Sequence, residues 1–240
     1  MSTTAQSPAI EMTGVVKNYS ALRPLRVASL SVARSERVAI AGIDAVGAEV
    51  FLNLLTGASL PDSGEIKVFG HNTAAVANGE EWLASLDRFG IVSERAVVLE
   101  GATVAQNLAL PFTLEIDPLT AETMARVRVL AEECDIAAAW IEQRAGDVPA
   151  EVRARIHFAR AIALDPQLLL MEHPTAALAE GSRAAFGALV ARVCEARALT
   201  ALAITLDPIF AATAAHRTLT LQPATGQLAA ARRSWWSGKF

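Results

Sequence analysis

The sequence predicts an α/β fold in which a mostly parallel β-sheet is covered by helices. Two observations lead to this prediction. Short runs of branched and apolar residues alternate along the chain with longer stretches in which apolar residues recur at helical spacing. The run QLLLM at residues 167–171 is almost wholly apolar and has the length of a strand, as is typical of a parallel strand buried on both faces. Alternating strands and helices of this kind form a mostly parallel sheet with helices on both sides.

The predicted elements fill most of the chain. Strands are predicted at residues 27–32, 37–41, 65–69, 89–93, 167–171 and 200–205. Helices are predicted at residues 48–55, 79–88, 104–108, 121–134, 153–164 and 179–196, around Trp140, and from Pro208 onward. We expect a single domain over residues 1–240, with a helical subdomain at about 95–160. Residues 231–240, rich in arginine and tryptophan, are predicted to be a C-terminal tail that is disordered or contacts a membrane surface or partner.

The composition excludes several classes of protein. Of the 240 residues, 52% are hydrophobic and 19% are charged, and the formal net charge of −4 provides no basic field for nucleic acid. No apolar run approaches the roughly 20 residues of a membrane-spanning helix, and the N-terminus does not resemble a secretory signal. Cys134 and Cys194 lack metal-ligand spacing and are expected to be buried thiols in a reducing compartment. We therefore expect a cytoplasmic protein that binds no nucleic acid.

A glycine-bearing turn follows the strand predicted at 37–41 and opens a helix. Gly42 and Gly47 have the spacing of the two glycines in the phosphate-binding loop G-x4-G-K-[ST], in the strand-to-helix context that this loop requires. The next two positions depart from the motif. Ala48 stands where a lysine reaches the phosphates, and Glu49 stands where a hydroxyl holds magnesium. Taken by itself, the pattern leaves an ordinary strand-to-helix turn open as an alternative.

Further motifs in order along the chain resemble the ATP-binding-cassette subunits of membrane transporters, from about residue 10 to about residue 230. VAIAGIDAVGAEVFLNLLTGASLPDSGEIKVFG is similar to the family's stretch from the phosphate loop to the next strand. FGIVSERAVVLEGATVAQNLALPF resembles the loop that senses the terminal phosphate and the permease-facing helix after it. RARIHFARAIALDPQLLLMEHPTAAL is similar to the signature helix, the magnesium-binding strand and the turn beyond. The resemblance implies a P-loop NTPase-like fold with an antiparallel β subdomain and a helical subdomain.

The resemblance also implies a vestigial nucleotide pocket. Tyr19 matches the aromatic residue that stacks on adenine, although an exposed loop tyrosine is the alternative. With Ala48 in place of lysine, a phosphate would face backbone N–H groups and a helix N-terminus, which contribute about 0.3–2 kcal/mol. Asp44 and Glu49 add negative charge, and we expect the Glu49 carboxylate to satisfy that helix N-terminus itself. The pocket comprises Tyr19, Gly42, Asp44, Gly47, Ala48, Glu49 and Val50.

The catalytic positions of the family are replaced as well. Glu94 corresponds to the glutamine of the phosphate-sensing loop, Glu172 to the magnesium-binding aspartate and His173 to the glutamate that polarises water. Glu172 is the one candidate metal ligand, with a structural carboxylate as the alternative. His173 is a candidate base, a partner-facing residue or a half-buried histidine, so no catalytic residue is assigned. The signature falls on residues 148–152, the switch histidine on Leu206 and the turn aspartate on Ala179.

Three functions follow from this pattern. The first is a pseudo-cassette with weak or no ATP hydrolysis that docks on a permease or pairs with an active cassette. The second is a working ATPase subunit with ATP and magnesium at an atypical site, and the third is an interaction module outside transport. The loss of several chemical positions together favours the first. The resemblance implies a homodimer or heterodimer at the inner face of the cell membrane, reached only through the permease, with Gly101, Pro111 and Phe112 as candidate permease contacts.

Overall fold

The computed structural model describes residues 7–76, 78–93 and 95–230. Their strands are β1 (Ile10–Lys17), β2 (Leu25–Val32), β3 (Arg37–Ala41), β4 (Ser63–Val68), β5 (His71–Asn72), β6 (Phe89–Val92), β7 (Leu168–Glu172), β8 (Thr200–Ile204), β9 (Arg217–Leu221) and β10 (Leu228–Ala230). Their helices are α1 (Ala45–Leu55), α2 (Gly79–Leu86), α3 (Val104–Ala109), α4 (Ala121–Glu133), α5 (Ala150–Ile162), α6 (Glu180–Ala196) and α7 (Pro208–Ala214). Short 3-10 turns lie at Thr73–Ala75 and Ala138–Trp140.

The larger sheet has six strands in the order β10-β9-β3-β8-β7-β6. Neighbouring strands pair in parallel, except that β10 runs antiparallel to β9 at one edge. Parallel neighbours need long crossover connections, and helices provide most of them here. The mostly parallel sheet predicted from the alternation of strands and helices is therefore confirmed.

The smaller sheet is antiparallel and has the strand order β2-β1-β4-β5. Along β1, Ile10, Met12 and Val15 are buried, which gives this sheet one apolar face against the rest of the protein. This sheet is the antiparallel β subdomain that the family resemblance implied.

The core lies on both faces of the larger sheet. Leu168 and Leu170 of β7 pack with α1 and the smaller sheet, whereas Leu169 and Met171 pack with the helices α3 to α7. Successive side chains of a strand point to opposite faces, so an apolar run such as β7 fills both layers. The structure thus confirms burial on both faces for residues 168–171, whereas Gln167 is exposed and precedes the strand.

Most predicted helix bounds differ from the observed ones by one to three residues. Helix α1 begins at Ala45 rather than at residue 48, because the Asp44 side chain caps it. Strands β1, β5, β9 and β10 were not predicted from their own sequences. The segment Leu228–Ala230 is short and contains two alanines, so only its pairing with β9 makes it a strand.

Two further expectations concern the thiols and the membrane. Cys134 and Cys194 are free and buried, and burial raises the pKa of each thiol to about 12. Within the described part of the chain, no helix is both long and apolar enough to cross a membrane.

Candidate functional site

A cavity of about 610 Å³ opens where the carboxyl ends of β7 and β8 meet the start of α1. In open α/β sheets, ligands bind outside the carboxyl ends of the parallel strands, so this is the place for a functional site. The cavity is lined by six charged side chains and one histidine, His173; the charged ones are Asp44, Glu49, Arg95, Glu172, Arg183 and Asp207.

The turn before α1 has the shape of a phosphate loop. Both of its glycines are required, because neighbouring atoms lie too close to leave room for a side chain. Gly42 has a φ of 86°, and a Cβ there would lie 2.9 Å from the carbonyl oxygen of Leu221. A Cβ at Gly47 would lie 2.9 Å from the Ile43 side chain. The turn therefore keeps its glycines for steric reasons that do not depend on a bound phosphate.

The N-terminus of α1 is satisfied by Asp44. Its carboxylate accepts a hydrogen bond of 2.8 Å from the N–H of Gly47. The expectation that Glu49 would satisfy this N-terminus is wrong. Glu49 lies one full turn into the helix, beyond the free N–H groups, because the N–H of Ala48 already donates to the carbonyl of Asp44.

Arg95 binds both carboxylates that face the expected phosphate and metal positions. Its Nη1 group forms an ion pair with Glu49, and its Nη2 group lies 2.7 Å from Oε2 of Glu172. The hydroxyl of Ser93 accepts from Arg95 Nε at 3.3 Å and donates to Glu172 at 3.0 Å. All three nitrogens of the guanidinium therefore have partners on the chain itself.

The cavity does not fit a magnesium nucleotide. Among the side chains that line it, four carboxylates face two guanidinium groups, so the formal charge around a triphosphate would be negative. Ala48, a residue of α1, is fully buried in the core and provides no cation. Glu49 and Glu172, the two carboxylates that could approach a metal, both bind Arg95. In the described ranges, no three histidine, cysteine or acidic residues are grouped to hold a metal ion.

A second acidic group in the cavity is part of the scaffold. Asp207 is 8% exposed and accepts hydrogen bonds from the backbone N–H groups of Ile209 and Phe210 at 2.9 and 3.2 Å, which caps α7. Thr175 donates to its other oxygen at 2.7 Å, and Arg183 lies 3.6 Å from that oxygen. These contacts join the turn after β7 to the start of α7.

His173 lies at the end of β7 without a group to orient it. Its φ is 42°, and its backbone N–H donates to the carbonyl of Ile204 at 2.8 Å. Its Nε2 atom is buried and has no hydrogen-bond partner in the described part of the chain. A general base needs a reacting proton within hydrogen-bond reach, so a base at His173 stays a prediction, without an orienting partner among the described residues.

Tyr19 packs beside the phosphate-like loop. It is half-buried against the core that contains α1, and its hydroxyl would be 3.4 Å from a Cβ at Gly47. Burial, followed by the charge of Asp44, raises the pKa of its phenol. Val50 is also half-buried and packs against the same core, so neither side chain is free in solvent.

Two helices near the cavity start without a side-chain cap. Pro149 precedes α5, and Ala179 precedes α6, and neither makes the capping hydrogen bond that Asp44 and Asp207 make. A hydrogen bond of 2.6 Å from Ser182 to Glu151 joins the first turns of these helices. Both starts fall at positions where the family resemblance places a replaced motif.

The three candidate permease contacts have different surroundings. Gly101 is exposed, with open space where a side chain would be. Pro111 lines a cavity of about 390 Å³ beside β6 and α5. Phe112 packs against the helical core, with the Arg126 guanidinium 3.8 Å above its ring centre. A charged residue in place of Phe112 would therefore disturb the packing of the helical core as well as the candidate permease contact.

Arg95 was not identified from the sequence, although it lines the cavity and pairs with two of the cavity's carboxylates. The only signal in the sequence is its place in SERAV, next to a position matched to the phosphate-sensing glutamine. Its partners Glu49 and Glu172 are 46 and 77 positions away, so only the fold brings the three together. Glu94 and the arginine–tryptophan tail lie outside the described residues.

The ABC transporter family model matches residues 25–176. This match covers more than half of the chain, which therefore belongs to the ABC transporter family.

Known relatives and solved structures agree with this assignment. The Fe(3+) ions import ATP-binding protein FbpC of Serratia marcescens is 29% identical over 82% of this chain and 56% of its own length. The phosphonates import ATP-binding protein PhnC of Anaeromyxobacter dehalogenans is 28% identical, over 86% of this chain and 43% of its own length. The chain thus spans about half the length of the curated relatives it matches.

Two solved structures show the same fold. The cassette MJ0796, solved as a dimer in a post-hydrolysis state bound to ADP and Pi, has a TM-score of 0.72 at 19% identity and covers 90% of this chain and 95% of its own. The cbiO1 protein from Clostridium perfringens, part of the ABC transporter complex cbiONQ, has a TM-score of 0.77 at 18% identity, covering 93% and 87%. The structure therefore has the ABC cassette fold.

Proposed function

We propose that this chain is a degenerate ATP-binding-type subunit of an ABC transporter, with weak or no ATP hydrolysis. The single observation that supports this most strongly is the acidic cavity, in which Glu49 and Glu172 bind Arg95 and Ala48 replaces the lysine. Phosphoryl transfer in P-loop enzymes depends on positioning and on positive charge around the phosphates. Two like charges about 4 Å apart cost about 4 kcal/mol at an effective dielectric of 20, which is half of a micromolar binding energy.

The partner we propose is a transporter permease, with a second cassette as the dimer partner. The relatives named above are import ATP-binding proteins, and the family fold is retained around the altered cavity. The exposed surface that follows β6, including Gly101, is the proposed contact with the permease. This places the chain at the cytoplasmic face of the membrane, held there by the permease.

A working ATPase with an atypical site is the second candidate. Arg95 is the observation that favours it, because a guanidinium in the cavity is a phosphate-binding group. Against it, Nε, Nη1 and Nη2 of Arg95 are all engaged by Ser93, Glu49 and Glu172. These contacts engage three of the five N–H donors of the guanidinium, and a phosphate bound to the other two would lie beside the carboxylates of Glu49 and Glu172.

The test is a calorimetric titration of the full chain with ATP and magnesium up to millimolar nucleotide. The comparison is the double variant Ala48→Lys with Glu49→Ser, and Glu49→Ser alone is the matched control. We expect no heat from the natural chain, weak binding at most by the control and micromolar binding by the double variant. Micromolar, magnesium-dependent binding by the natural chain would reject the proposal and favour the atypical ATPase.

A further inference from the structure

The loop after β6 is held at both of its ends, by different parts of the protein. At its start, Arg95 binds Glu49 of α1 and Glu172 at the end of β7, which both belong to the layer of the larger sheet. The N–H of Arg95 also donates to the Ser93 hydroxyl at 3.2 Å. The start of the loop is thus fastened to the sheet by side-chain charge.

The rest of the loop is fastened to the helical layer. The buried amide of Asn107 in α3 accepts from the N–H of Leu99 at 2.8 Å and donates to its carbonyl at 3.0 Å. Arg160 of α5 donates to the carbonyl of Val97 at 2.8 Å. The N–H groups of Ala145 and Gly146 donate to the carbonyls of Ala102 and Glu100. These hydrogen bonds attach residues 97–102 to the helical layer.

We infer that Arg95 is a built-in replacement for a bound metal nucleotide, a positioning residue that fixes the loop and the helical layer against the sheet when no nucleotide is present. The inference rests on the proposed function, and it adds a mechanism to it. The guanidinium lies between one carboxylate of α1 and one of β7, so it joins the two elements that border the cavity. These ion pairs attach the start of the loop to the sheet without a nucleotide.

The burial of the partners indicates which contact matters more. The Glu172 side chain is 11% exposed, whereas those of Glu49 and Arg95 are 45% and 47% exposed. Water and salt therefore screen the Arg95–Glu49 contact more than the Arg95–Glu172 contact. Glu172 also accepts from Ser93, so the Arg95–Glu172 contact is a hydrogen-bonded charge pair with two donors. We call these two ion pairs of Arg95 the tether, and as salt is raised its Glu49 contact should weaken before its Glu172 contact.

Hydrogen–deuterium exchange of the full chain tests the inference. Arg95→Ala removes the tether, and Arg192→Ala is the control, because Arg192 is 52% exposed and pairs with Asp135 at 2.8 Å elsewhere on the surface. We expect amide exchange at residues 95–103 and in α3 to rise about fivefold in Arg95→Ala, equivalent to about 1 kcal/mol. In Arg192→Ala the same amides should exchange within about twofold of the natural chain.

The outcomes separate this inference from the proposed function. Unchanged exchange at residues 95–103 in Arg95→Ala overturns the tether, whatever the chain does with ATP. Arg95→Lys should give an intermediate rise in amide exchange. The ammonium group of lysine keeps the charge but cannot bridge both carboxylates as the planar guanidinium does. Nucleotide binding by the natural chain would reject the proposed function. Amide exchange measured without nucleotide would still report on the tether.

Discussion

The cavity contains two acidic clusters that differ in burial and in partners. Asp207 is almost fully buried and is held by two backbone N–H groups and the Thr175 hydroxyl. Glu49 and Arg95 are about half exposed and hold each other mainly by charge. Buried polar groups with directional partners stabilise a fold, whereas exposed ion pairs contribute little to stability. The Asp207 cluster should therefore determine stability, and the Arg95 cluster the position of a loop.

The same comparison separates two helix starts beside the cavity. Helix α7 begins with a capping aspartate, and α6 begins at Ala179 with no side-chain cap. Both cap positions have the extended backbone that a capping residue needs, with φ of −92° and −61°. The difference is in the side chain alone, so it can be changed by substitution.

The largest effect is expected for Asp207→Ala. The variant loses the cap of α7 and leaves the buried Thr175 hydroxyl without its acceptor. We expect the free energy of unfolding to fall by about 2–4 kcal/mol, measured by urea denaturation. Asp207→Asn keeps an oxygen for the cap and should lose less than Asp207→Ala. A loss as small as that of a surface ion pair would show that this cluster is not part of the scaffold.

Ala179→Asp is expected to have a smaller effect of opposite sign. An aspartate at this position can accept a hydrogen bond from the first turn of α6 and faces the positive end of the helix. The free energy of unfolding should rise by about 1 kcal/mol, measured by the same denaturation. Ala179→Val, which offers no acceptor, should give no such gain. An equal gain from both substitutions would exclude capping as its cause.

The smallest effect on stability is expected for Arg95→Ala. Because Arg95 and Glu49 are about half exposed, and Glu172 keeps its hydrogen bond from Ser93, we expect the free energy of unfolding to fall by less than about 1 kcal/mol. The loss should shrink further as salt is raised, because screening already weakens the pair in the natural chain. A loss as large as that of Asp207→Ala would mean that the two clusters do not differ as proposed.

Much of the fold could be predicted from local sequence. The apolar run of β7 and the helical spacing of α4 and α6 give strong local signals, and the observed bounds follow them closely. The edge strand β10 could not be predicted, because its alanines favour no strand and only pairing with β9 fixes it.

The candidate site was predictable in part. Gly42 and Gly47 identify the turn, and Ala48 and Glu49 identify what the turn lacks. The sequence did not reveal which carboxylate caps α1. Asp44 and Glu49 are both near the helix start, and the choice depends on which oxygen reaches a free N–H group.

By itself, the sequence determined the class of fold, the family and the missing lysine, because these depend on residue types and short spacings. Only the tertiary structure decided how the remaining charges are used. Glu49, Arg95 and Glu172 are far apart along the chain, and ion pairing depends on distance and burial in space. Folding brings the start of α1, the end of β7 and the loop after β6 to one edge of the sheet, where a guanidinium joins the two carboxylates.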